Sequence, residues 1–359
     1  MFDVEGLLCE GLFFFLMKTR FLSTSGSSKM RNVRAAARLI CNGQLVAFPT
    51  ETVYGLGASA YNAGAVREIF RVKGRPLDNP LIVHLWSLDQ VHLLAREVPL
   101  MFWLLAREFM PGPLTLVVKK ARRVPALVTA GLSTVALRMP DHPIARILLK
   151  QANVPVVAPS ANLSGRPSPT AAQHVKEDLD GKVAAILDGG RCKIGVESTV
   201  LDITRRVPVI LRPGGVTKEQ IEEALRMKVR TARHSQNRPS SPGMKYRHYA
   251  PRAEVVLFEG EPSAIRRAMK QTMRAMSAHG IKVGVLYEER GRRAFGASRF
   301  FSLGNEGVTS AAQNLFAGFR QLDKKGVDVI LCQGFPEELM GRALMNRLRK
   351  AAGRRVRVG

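Results

Sequence analysis

Six short stretches in the first two thirds of the chain combine hydroxyl groups, glycines, prolines and single cations. They are PTETVYGLG (49–57), KGRPLDNPLIVH (73–84), TVALRMP (134–140), APSANLSGRPSPT (158–170), GVEST (195–199) and LRPGG (211–215). Each lies at the end of a predicted strand, so side chains and backbone N–H groups converge on one edge of a sheet. Such an edge suits a ligand that is held by many hydrogen bonds.

Four cations in these stretches indicate that the ligand is polyanionic. Lys73 and Arg75 flank a glycine and leave a tight turn close together, while Arg138 and Arg212 close predicted strands. Cations among hydroxyls suit a nucleoside triphosphate with a small polar co-substrate. For each arginine alone the alternative is a surface salt bridge, and for His84, inside an apolar strand, it is a buried core histidine.

The same stretches contain no recognisable machinery for covalent catalysis. Neither GxxxxGK[ST] nor GxGxxG occurs in the sequence, and no Ser–His–Asp or Cys–His nucleophile can be assembled from these stretches. The seven histidines and four cysteines show no spacing typical of metal ligands. The residues therefore predict a site for binding and orientation, in which Glu51 and Glu197 are acids without an assigned role.

Composition limits the class of protein. The net charge is +26, from 55 Lys and Arg against 29 Asp and Glu, which indicates acidic partners such as nucleotides or tRNA, with a solvated basic surface as the alternative. A hydrophobic content of 46% excludes global disorder. The apolar run GLFFFLM (11–17) is too short to span a bilayer. We expect a cytoplasmic protein that does not associate with membranes.

The pattern of predicted strands and helices changes along the chain, which predicts two domains. Before the polar segment 231–241, many strands with a few irregularly spaced helices predict an α+β or mixed-sheet domain. After it, strands alternate with helices, which predicts a small parallel sheet with helices on both faces. The expected divisions are a dispensable N-terminal extension at 1–30, a first domain at 31–228, a linker at 229–252 and a second domain at 253–359. For the extension, a transit peptide and a later start at Met17 or Met30 are alternatives.

The linker ends in a segment, PGMKYRHYAP (242–251), that is not ordinary linker sequence. Prolines stiffen its two ends, and Tyr246 and Tyr249 supply aromatic faces that carry a hydroxyl group. Lys245, Arg247 and His248 add charge that suits a phosphate-bearing ligand. The alternative is a segment that merely packs along the second domain.

Several of these stretches, in this order, resemble the YrdC-type threonylcarbamoyl-AMP synthase family: PTETVYGLG, Lys73-Gly74-Arg75 followed by PLDNPLIVH, Ser160-Ala161-Asn162, GVEST and LRPG. The second domain and PGMKYRHYAP resemble the longer branch of that family, so the resemblance runs from residue 31 to near the end of the chain. It implies an α/β fold, with a twisted, mostly parallel sheet that has a concave basic face, and a smaller Rossmann-like domain.

The resemblance also implies a reaction. The enzyme would be a nucleotidyltransferase that converts L-threonine, bicarbonate and ATP into threonylcarbamoyl-AMP and pyrophosphate, with Mg²⁺ held mainly by phosphate oxygens. A separate tRNA threonylcarbamoyl transferase would use the product to make threonylcarbamoyladenosine in tRNA. The segment 242–251 would fold over the pocket as a lid.

Roles for individual residues follow from the same resemblance. Threonine would be held by Thr52, His84, Arg138, Ala158 and Ser198, with Arg138 as the partner of its carboxylate. ATP would be held by Arg75, Asn79, Thr134, Ser160, Ser168, Arg212 and Tyr246. Lys73 would lie near the phosphates, and Lys73 and Arg75 are the candidate catalytic residues.

Two other classes of protein stay open. One is a non-enzymatic RNA-binding protein, since a basic face could hold double-stranded RNA, and a weak contact with tRNA or double-stranded RNA is expected in either case. The other is a carbamoyl-adenylate enzyme of the hydrogenase-maturation type. Those proteins have cysteine clusters that this chain lacks.

Overall fold

The computed structural model describes residues 18–232, 248–296 and 299–359, which form two sheets with helices packed against each. The strands of the larger sheet are β1 (Arg20–Ser23), β2 (Val46–Phe48), β3 (Gly55–Ser59), β4 (Ile82–His84), β5 (Leu114–Lys119), β6 (Thr134–Arg138), β7 (Val156–Val157), β8 (Ala185–Asp188), β9 (Thr199–Asp202), β10 (Val209–Arg212) and β11 (Arg230–Thr231). The helices in this part of the chain are α1 (Lys29–Cys41), α2 (Ala63–Lys73), α3 (Val91–Leu94), α4 (Leu100–Phe109), α5 (Pro143–Ala152), α6 (Ala172–Leu179) and α7 (Lys218–Leu225).

The smaller sheet belongs to the second domain. Its strands are β12 (Glu254–Gly260), β13 (Val283–Tyr287), β14 (Phe300–Ser302), β15 (Val329–Gln333) and β16 (Arg354–Val358). Its helices are α8 (Pro262–Ala278), α9 (Arg292–Phe295), α10 (Gly307–Lys324) and α11 (Gly341–Ala351). The strand order is β14-β13-β15-β12-β16 and every pairing in it is parallel, which confirms the parallel sheet predicted from the alternation of strand and helix.

The larger sheet is mixed. Its strand order is β1-β8-β2-β3-β7-β4-β6-β5-β9-β10-β11, and parallel pairs such as β4–β6 stand beside antiparallel pairs such as β5–β6. Over the two sheets together the pairing is mostly parallel, and the antiparallel pairs among the described residues all lie in the larger one. The predicted α/β fold class is confirmed.

Local sequence signals position most of these elements. The Asn62 side chain accepts a hydrogen bond from the Ala65 N–H at the start of α2, and Gly74, with φ of 58°, ends the same helix in the left-handed region. Thr217 and Gln220 form a capping box at the start of α7. Ser87, by contrast, caps only a short 3₁₀ turn.

The structure moves the predicted N-terminal boundary. Residues 1–30 were expected to be an extension, but β1 pairs in parallel with β8, with Leu22 buried, and α1 begins at Lys29. Residues from Arg20 onward are therefore part of the first domain. Only four residues make the strand, and the serines and cations around it hide its pattern. Residues 1–17 lie outside the described part of the chain.

Each sheet is covered by apolar side chains on both faces. Neighbouring residues of β2 belong to different clusters, Ala47 to one and Val46 to another, as expected when successive side chains point to opposite faces. In the second domain Leu257 and Phe258 divide in the same way. No helix in the described ranges is both long and apolar enough to cross a membrane.

Candidate active site

A cavity of about 70 Å³ lies where several strands of the larger sheet end. His84 and Arg138 are the last residues of the parallel neighbours β4 and β6 and are paired in register, and Arg212 ends β10. Eight of the predicted residues line the cavity: Arg75, His84, Arg138, Ala158, Ser160, Ser168, Ser198 and Arg212. With Val53 of PTETVYGLG, which also lines the cavity, the structure brings together residues from all six sequence stretches, as the strand-end pattern predicts.

One side of the cavity is built around Arg138. Its Nη2 donates to Glu51 Oε1 at 2.7 Å and to Thr52 Oγ1 at 2.8 Å, and its Nε donates to the Gly112 carbonyl at 3.4 Å. The arginine and the glutamate are both buried. Thr52 does not line the cavity itself, but it belongs to this cluster through Arg138.

His84 completes this side. Burial lowers its pKa to about 3, with help from the nearby charge of Arg138, so the imidazole is neutral at pH 7. Its Nδ1 has no hydrogen-bond partner among the described residues. His84 is therefore not a satisfied core histidine, and its ring offers a neutral polar group to a ligand.

Two further arginines line the cavity, Arg212, which is buried, and Arg75, which is half-buried. Arg212 donates from Nε and Nη2 to the Ser198 carbonyl at 3.1 and 3.0 Å, and from Nη2 to Ser198 Oγ at 3.1 Å. Arg75 donates to the carbonyls of Asn79 at 3.2 Å and Pro80 at 2.8 Å. Burial, and then the charge of Arg212, lowers the pKa of Arg75 to about 10. Two cations that line one cavity favour an anionic ligand there.

Lys73 does not lie where a residue that binds phosphate in the cavity is expected. Its Nζ donates to the carbonyls of Ser160 and Asn162, its side chain is buried, and it does not line the cavity. Burial, followed by the charge of Arg75, holds the pKa of Lys73 well below its usual range. In this arrangement Lys73 fixes the turn that carries Ser160.

The remaining predicted residues fall beside the cavity or outside the described chain. The Asn79 side chain is buried, and its backbone carbonyl holds Arg75. Thr134 begins β6 and shares a face of that strand with Arg138, four residues on, but does not line the cavity. Tyr246 lies outside the described residues, whereas Tyr249, from the same segment, lines the cavity.

Some buried polar atoms without a partner lie at or beside this site. Glu51 Oε2, Asn79 Oδ1, His84 Nδ1 and Asn162 Oδ1 make no hydrogen bond within the described part of the chain. Of these residues, His84 and Asn162 line the cavity, and because folded proteins pair nearly all such atoms, they offer groups that a ligand can satisfy.

Glu197 is a residue whose role the sequence did not reveal. Its Oε1 accepts from Ser168 Oγ at 2.6 Å, and its Oε2 accepts at 2.8 Å from Nε of Arg347, which lies in α11 of the second domain. Burial acts to raise the pKa of Glu197, but the charges of Arg347 and Arg212 and the hydroxyl of Ser168 outweigh it and hold the pKa below its usual range. No sequence signal linked Arg347 to this site.

Tyr249 closes part of the cavity in an unusual backbone conformation. Its φ of 68° is in the left-handed region, which a bulky residue adopts only when its surroundings hold it there. Its ring stacks on Phe316 with centroids 5.4 Å apart, and the next residue, Ala250, donates from its N–H to the Gly165 carbonyl. Tyr249 is thus held by both domains.

The carboxylates at the site are engaged with arginines. Glu51 pairs with Arg138 and Glu197 pairs with Arg347. Within the described ranges there is no group of three or more His, Cys, Asp or Glu side chains that could hold a metal ion. A Mg²⁺ ion at this site would therefore depend on oxygens of a bound phosphate chain rather than on a protein cage.

Together, the fold and the cavity define an α/β protein with a pocket lined by arginines, hydroxyl groups and a neutral histidine. A sequence model described as telomere recombination matches residues 38–214, and the model of the threonylcarbamoyl-AMP synthase C-terminal domain matches residues 216–353. The threonylcarbamoyl-AMP synthase of Pyrococcus abyssi is 50% identical over 327 residues, which are 90% of this chain and 95% of that protein.

Two further comparisons agree. The threonylcarbamoyl-AMP synthase of Bacillus subtilis is 47% identical over 328 residues, covering 90% of this chain and 94% of its own length. The crystal structure of P. abyssi Sua5 complexed with L-threonine matches with a TM-score of 0.91 and 47% identity, covering 95% of this chain and all of that one. The chain belongs to the threonylcarbamoyl-AMP synthase family, as the resemblance implied.

Proposed function

We propose that the protein is an L-threonylcarbamoyladenylate synthase, which converts L-threonine, bicarbonate and ATP into threonylcarbamoyl-AMP and pyrophosphate. One observation carries the proposal: one cavity joins the Arg138–Glu51–Thr52 cluster to two further arginines, the half-buried Arg75 and the buried Arg212. The first set suits an amino acid carboxylate and hydroxyl, and the second suits a phosphate chain.

Threonine is assigned to the Arg138 side of the cavity. Its carboxylate pairs with the Arg138 guanidinium, whose position is fixed by Glu51 and Thr52, and its hydroxyl meets Ser198, which lines the cavity. His84, neutral at pH 7, adds a polar contact without a second positive charge. The relative from P. abyssi has been solved with L-threonine bound, which supports this choice of amino acid.

The chemistry requires orientation and charge neutralisation rather than a nucleophilic side chain. The threonine amine adds to the carbon of bicarbonate, and the departing hydroxide takes a proton from the amine, so that water is lost and N-carboxythreonine forms. Its carbamate oxygen forms a bond to the α-phosphorus of ATP while the bond from that phosphorus to the bridging oxygen breaks, and pyrophosphate leaves. Arg75 and Arg212 would stabilise the charge that develops on the phosphates, and Lys73 would keep Ser160 in place. Bound Mg²⁺ would neutralise further phosphate charge.

The proposal has a steric consequence. The cavity of about 70 Å³ is much smaller than the roughly 300–1,000 Å³ of typical ligand sites. Admitting ATP therefore requires movement of the residues that line the cavity from the linker side, His248 and Tyr249. Transfer of the threonylcarbamoyl group by a separate tRNA-modifying enzyme, and weak contact with tRNA or double-stranded RNA, are parts of the same proposal, as is a cytoplasmic location.

One assay tests the function directly. Purified protein is incubated with ATP, Mg²⁺, bicarbonate and threonine, and pyrophosphate and the adenylate product are measured by enzymatic coupling and mass spectrometry. We expect threonine-dependent pyrophosphate release, weak activity with serine and none with carbamoyl phosphate in place of bicarbonate and threonine. Equal pyrophosphate release without an amino acid refutes the assignment, and binding of RNA without any adenylate product favours the RNA-binding alternative.

A further inference from the structure

The GVEST loop of the first domain is packed against the second domain. Gly195 has φ of 79°, and a Cβ added there would lie 2.4 Å from Gln313 Cα and 2.5 Å from the Ala312 carbonyl oxygen. Both belong to α10, so the glycine permits the backbone of α10 to approach the loop. Val196 is fully buried in an apolar cluster with Ala312 and Ala343 of the second domain.

The next residue of the loop, Glu197, is held by an arginine from the same domain. Arg347 of α11 has no exposed surface, and it donates from Nε to Glu197 Oε2 at 2.8 Å and from Nη1 to the Pro213 carbonyl at 2.7 Å. Its guanidinium carbon also lies 5.5 Å from the centre of the Tyr249 ring. One side chain of the second domain thus contacts the GVEST loop, the LRPGG stretch and the linker.

The Arg347–Glu197 pair determines how Ser168 faces the cavity. An ionised carboxylate only accepts hydrogen bonds, so the Ser168 hydroxyl must donate its proton to Glu197 Oε1. Ser168 then presents only its oxygen lone pairs to a ligand, and these would accept from a donor such as a ribose hydroxyl or an amino group. Without Arg347, Glu197 would stand as an unpaired negative charge at the wall of a cavity that is to receive phosphates.

We propose that Arg347 is a positioning residue for the nucleotide, supplied to the catalytic domain by the second domain. It neutralises Glu197, fixes the direction of the Ser168 hydrogen bond, and so sets the affinity for ATP while leaving the threonine cluster around Arg138 intact. This inference rests on the proposed synthase function. It gives the second domain a part in building the nucleotide site, in addition to its contact with the linker.

The test compares Arg347→Ala with Arg342→Ala in the full-length protein. Arg342 lies on the same helix and also pairs across the domains, with Glu219, but both of those side chains are exposed and neither lines the cavity. We expect Arg347→Ala to raise the KM for ATP by at least about ten-fold, as for the loss of a charged hydrogen bond, and the KM for threonine by less than about three-fold. Arg342→Ala should change both by less than about two-fold.

A double variant tests whether Arg347 acts through Glu197 on Ser168. Ser168→Ala should raise the KM for ATP in the wild-type background but add little in the Arg347→Ala background, because the hydroxyl is already misdirected there. If Arg347→Ala melts below the assay temperature, Arg347→Lys can be used instead, because it keeps the charge but not the two-sided contact. It should also raise the KM for ATP more than the KM for threonine, but by a smaller factor.

The outcomes separate the inference from the function. Equal rises in both KM values, or fully additive effects of Arg347→Ala and Ser168→Ala, overturn the positioning role. A wild-type protein that makes no adenylate from threonine overturns the proposed function instead.

Discussion

Two buried arginine–glutamate pairs flank the cavity, and they differ in how the chain assembles them. Arg138 and Glu51 are 87 residues apart, and both belong to the first domain. Arg347 and Glu197 are 150 residues apart, and the arginine comes from the second domain. The first pair faces the proposed threonine site, and the second supports the proposed nucleotide site through Ser168.

Under the proposed function, this difference gives the two domains different parts in one reaction. The proposed threonine side is complete within the first domain, because Arg138 donates directly to Glu51 and Thr52. The nucleotide side depends on a contact between domains, so its geometry depends on how the second domain is seated. Substitutions should therefore divide into those that affect threonine and those that affect ATP.

The largest effect is expected at Arg138. Replacing Arg138 with alanine removes the partner of the threonine carboxylate, and the KM for threonine should rise by about ten-fold to a hundred-fold, corresponding to about 1.5–3 kcal/mol. The KM for ATP should change much less. Steady-state kinetics with each substrate varied in turn measure the two KM values. Arg138→Ala should mainly raise the KM for threonine, whereas Arg347→Ala should mainly raise the KM for ATP.

The Arg138 variant needs a control for stability. Removing one partner of a buried pair leaves Glu51 as an uncompensated charge, which typically costs about 3–5 kcal/mol. The double variant Arg138→Ala with Glu51→Gln should recover much of the free energy of unfolding but not the affinity for threonine. Recovery of threonine affinity in the double variant would show that Arg138 acts only by supporting the fold.

A smaller effect is expected for the phosphate side of the cavity. Arg75→Ala and Lys73→Ala should each lower kcat by about ten-fold or more, the first by removing a cation that lines the cavity and the second by releasing the turn at Ser160. Arg71→Ala is the matched control, since Arg71 lies on the same helix as Lys73 and pairs with Glu68 at the surface. Full rates in both test variants would mean that Lys73-Gly74-Arg75 is only a structural turn.

His84 links the threonine side to pH. Its pKa is about 3 in the folded protein, below its ordinary value of 6.5, so below pH 6.5 the unfolded chain takes up a proton that the folded protein does not. The stability that neutral His84 contributes is complete above pH 6.5 and is lost as pH falls towards 3. His84 contributes up to about 1.4 kcal/mol per pH unit to the slope of the unfolding free energy against pH.

Urea denaturation between pH 7 and pH 4 measures that slope. His84→Gln should flatten the pH dependence of the unfolding free energy relative to the wild type, while His248 and His174, whose pKa values burial also lowers, to about 3 and about 4, keep part of it. An unchanged slope in His84→Gln would mean that the imidazole is protonated or exposed in the folded protein.

From the sequence, Arg138 of the first pair could be placed at the site, but its pairing with Glu51 and the whole of the second pair could not be anticipated. Arg138, His84 and Arg212 could be placed at one edge because each ends a predicted strand, and strand ends meet there. Gly214 was visible in LRPGG, but a Cβ on it would lie 2.3 Å from the Ser198 carbonyl carbon, so its real role is to let two stretches pack together. That contact cannot be predicted from either stretch alone.

Other features were missed for physical reasons that can be named. The strand β3, GLGAS, is rich in glycine and shows no strand pattern, and β16 carries three arginines in five residues. Arg347 lies on an amphipathic helix whose pattern predicts a buried face but says nothing about its partner. Contacts between domains depend on the packing of whole elements, and spacing along the chain does not encode them directly.

The smallest expected effect is that of an exposed pair on the same helix as Arg347. The side chains of Arg342 and Glu219 are 40% and 43% exposed, so their charges remain solvated and screened. Arg342→Ala should lower the free energy of unfolding by less than about 1 kcal/mol, and the difference should shrink further in roughly 0.5 M salt. Arg347→Ala should cost about 3–5 kcal/mol, with little salt dependence, because it leaves Glu197 buried without its partner. Urea denaturation of both variants at low and high salt makes the comparison, since the two residues differ in burial but share a helix and an interface. Similar losses of unfolding free energy in the two variants would show that burial does not distinguish the two arginines. The second domain would then be attached by its charges rather than by the packing of its helices against the GVEST loop.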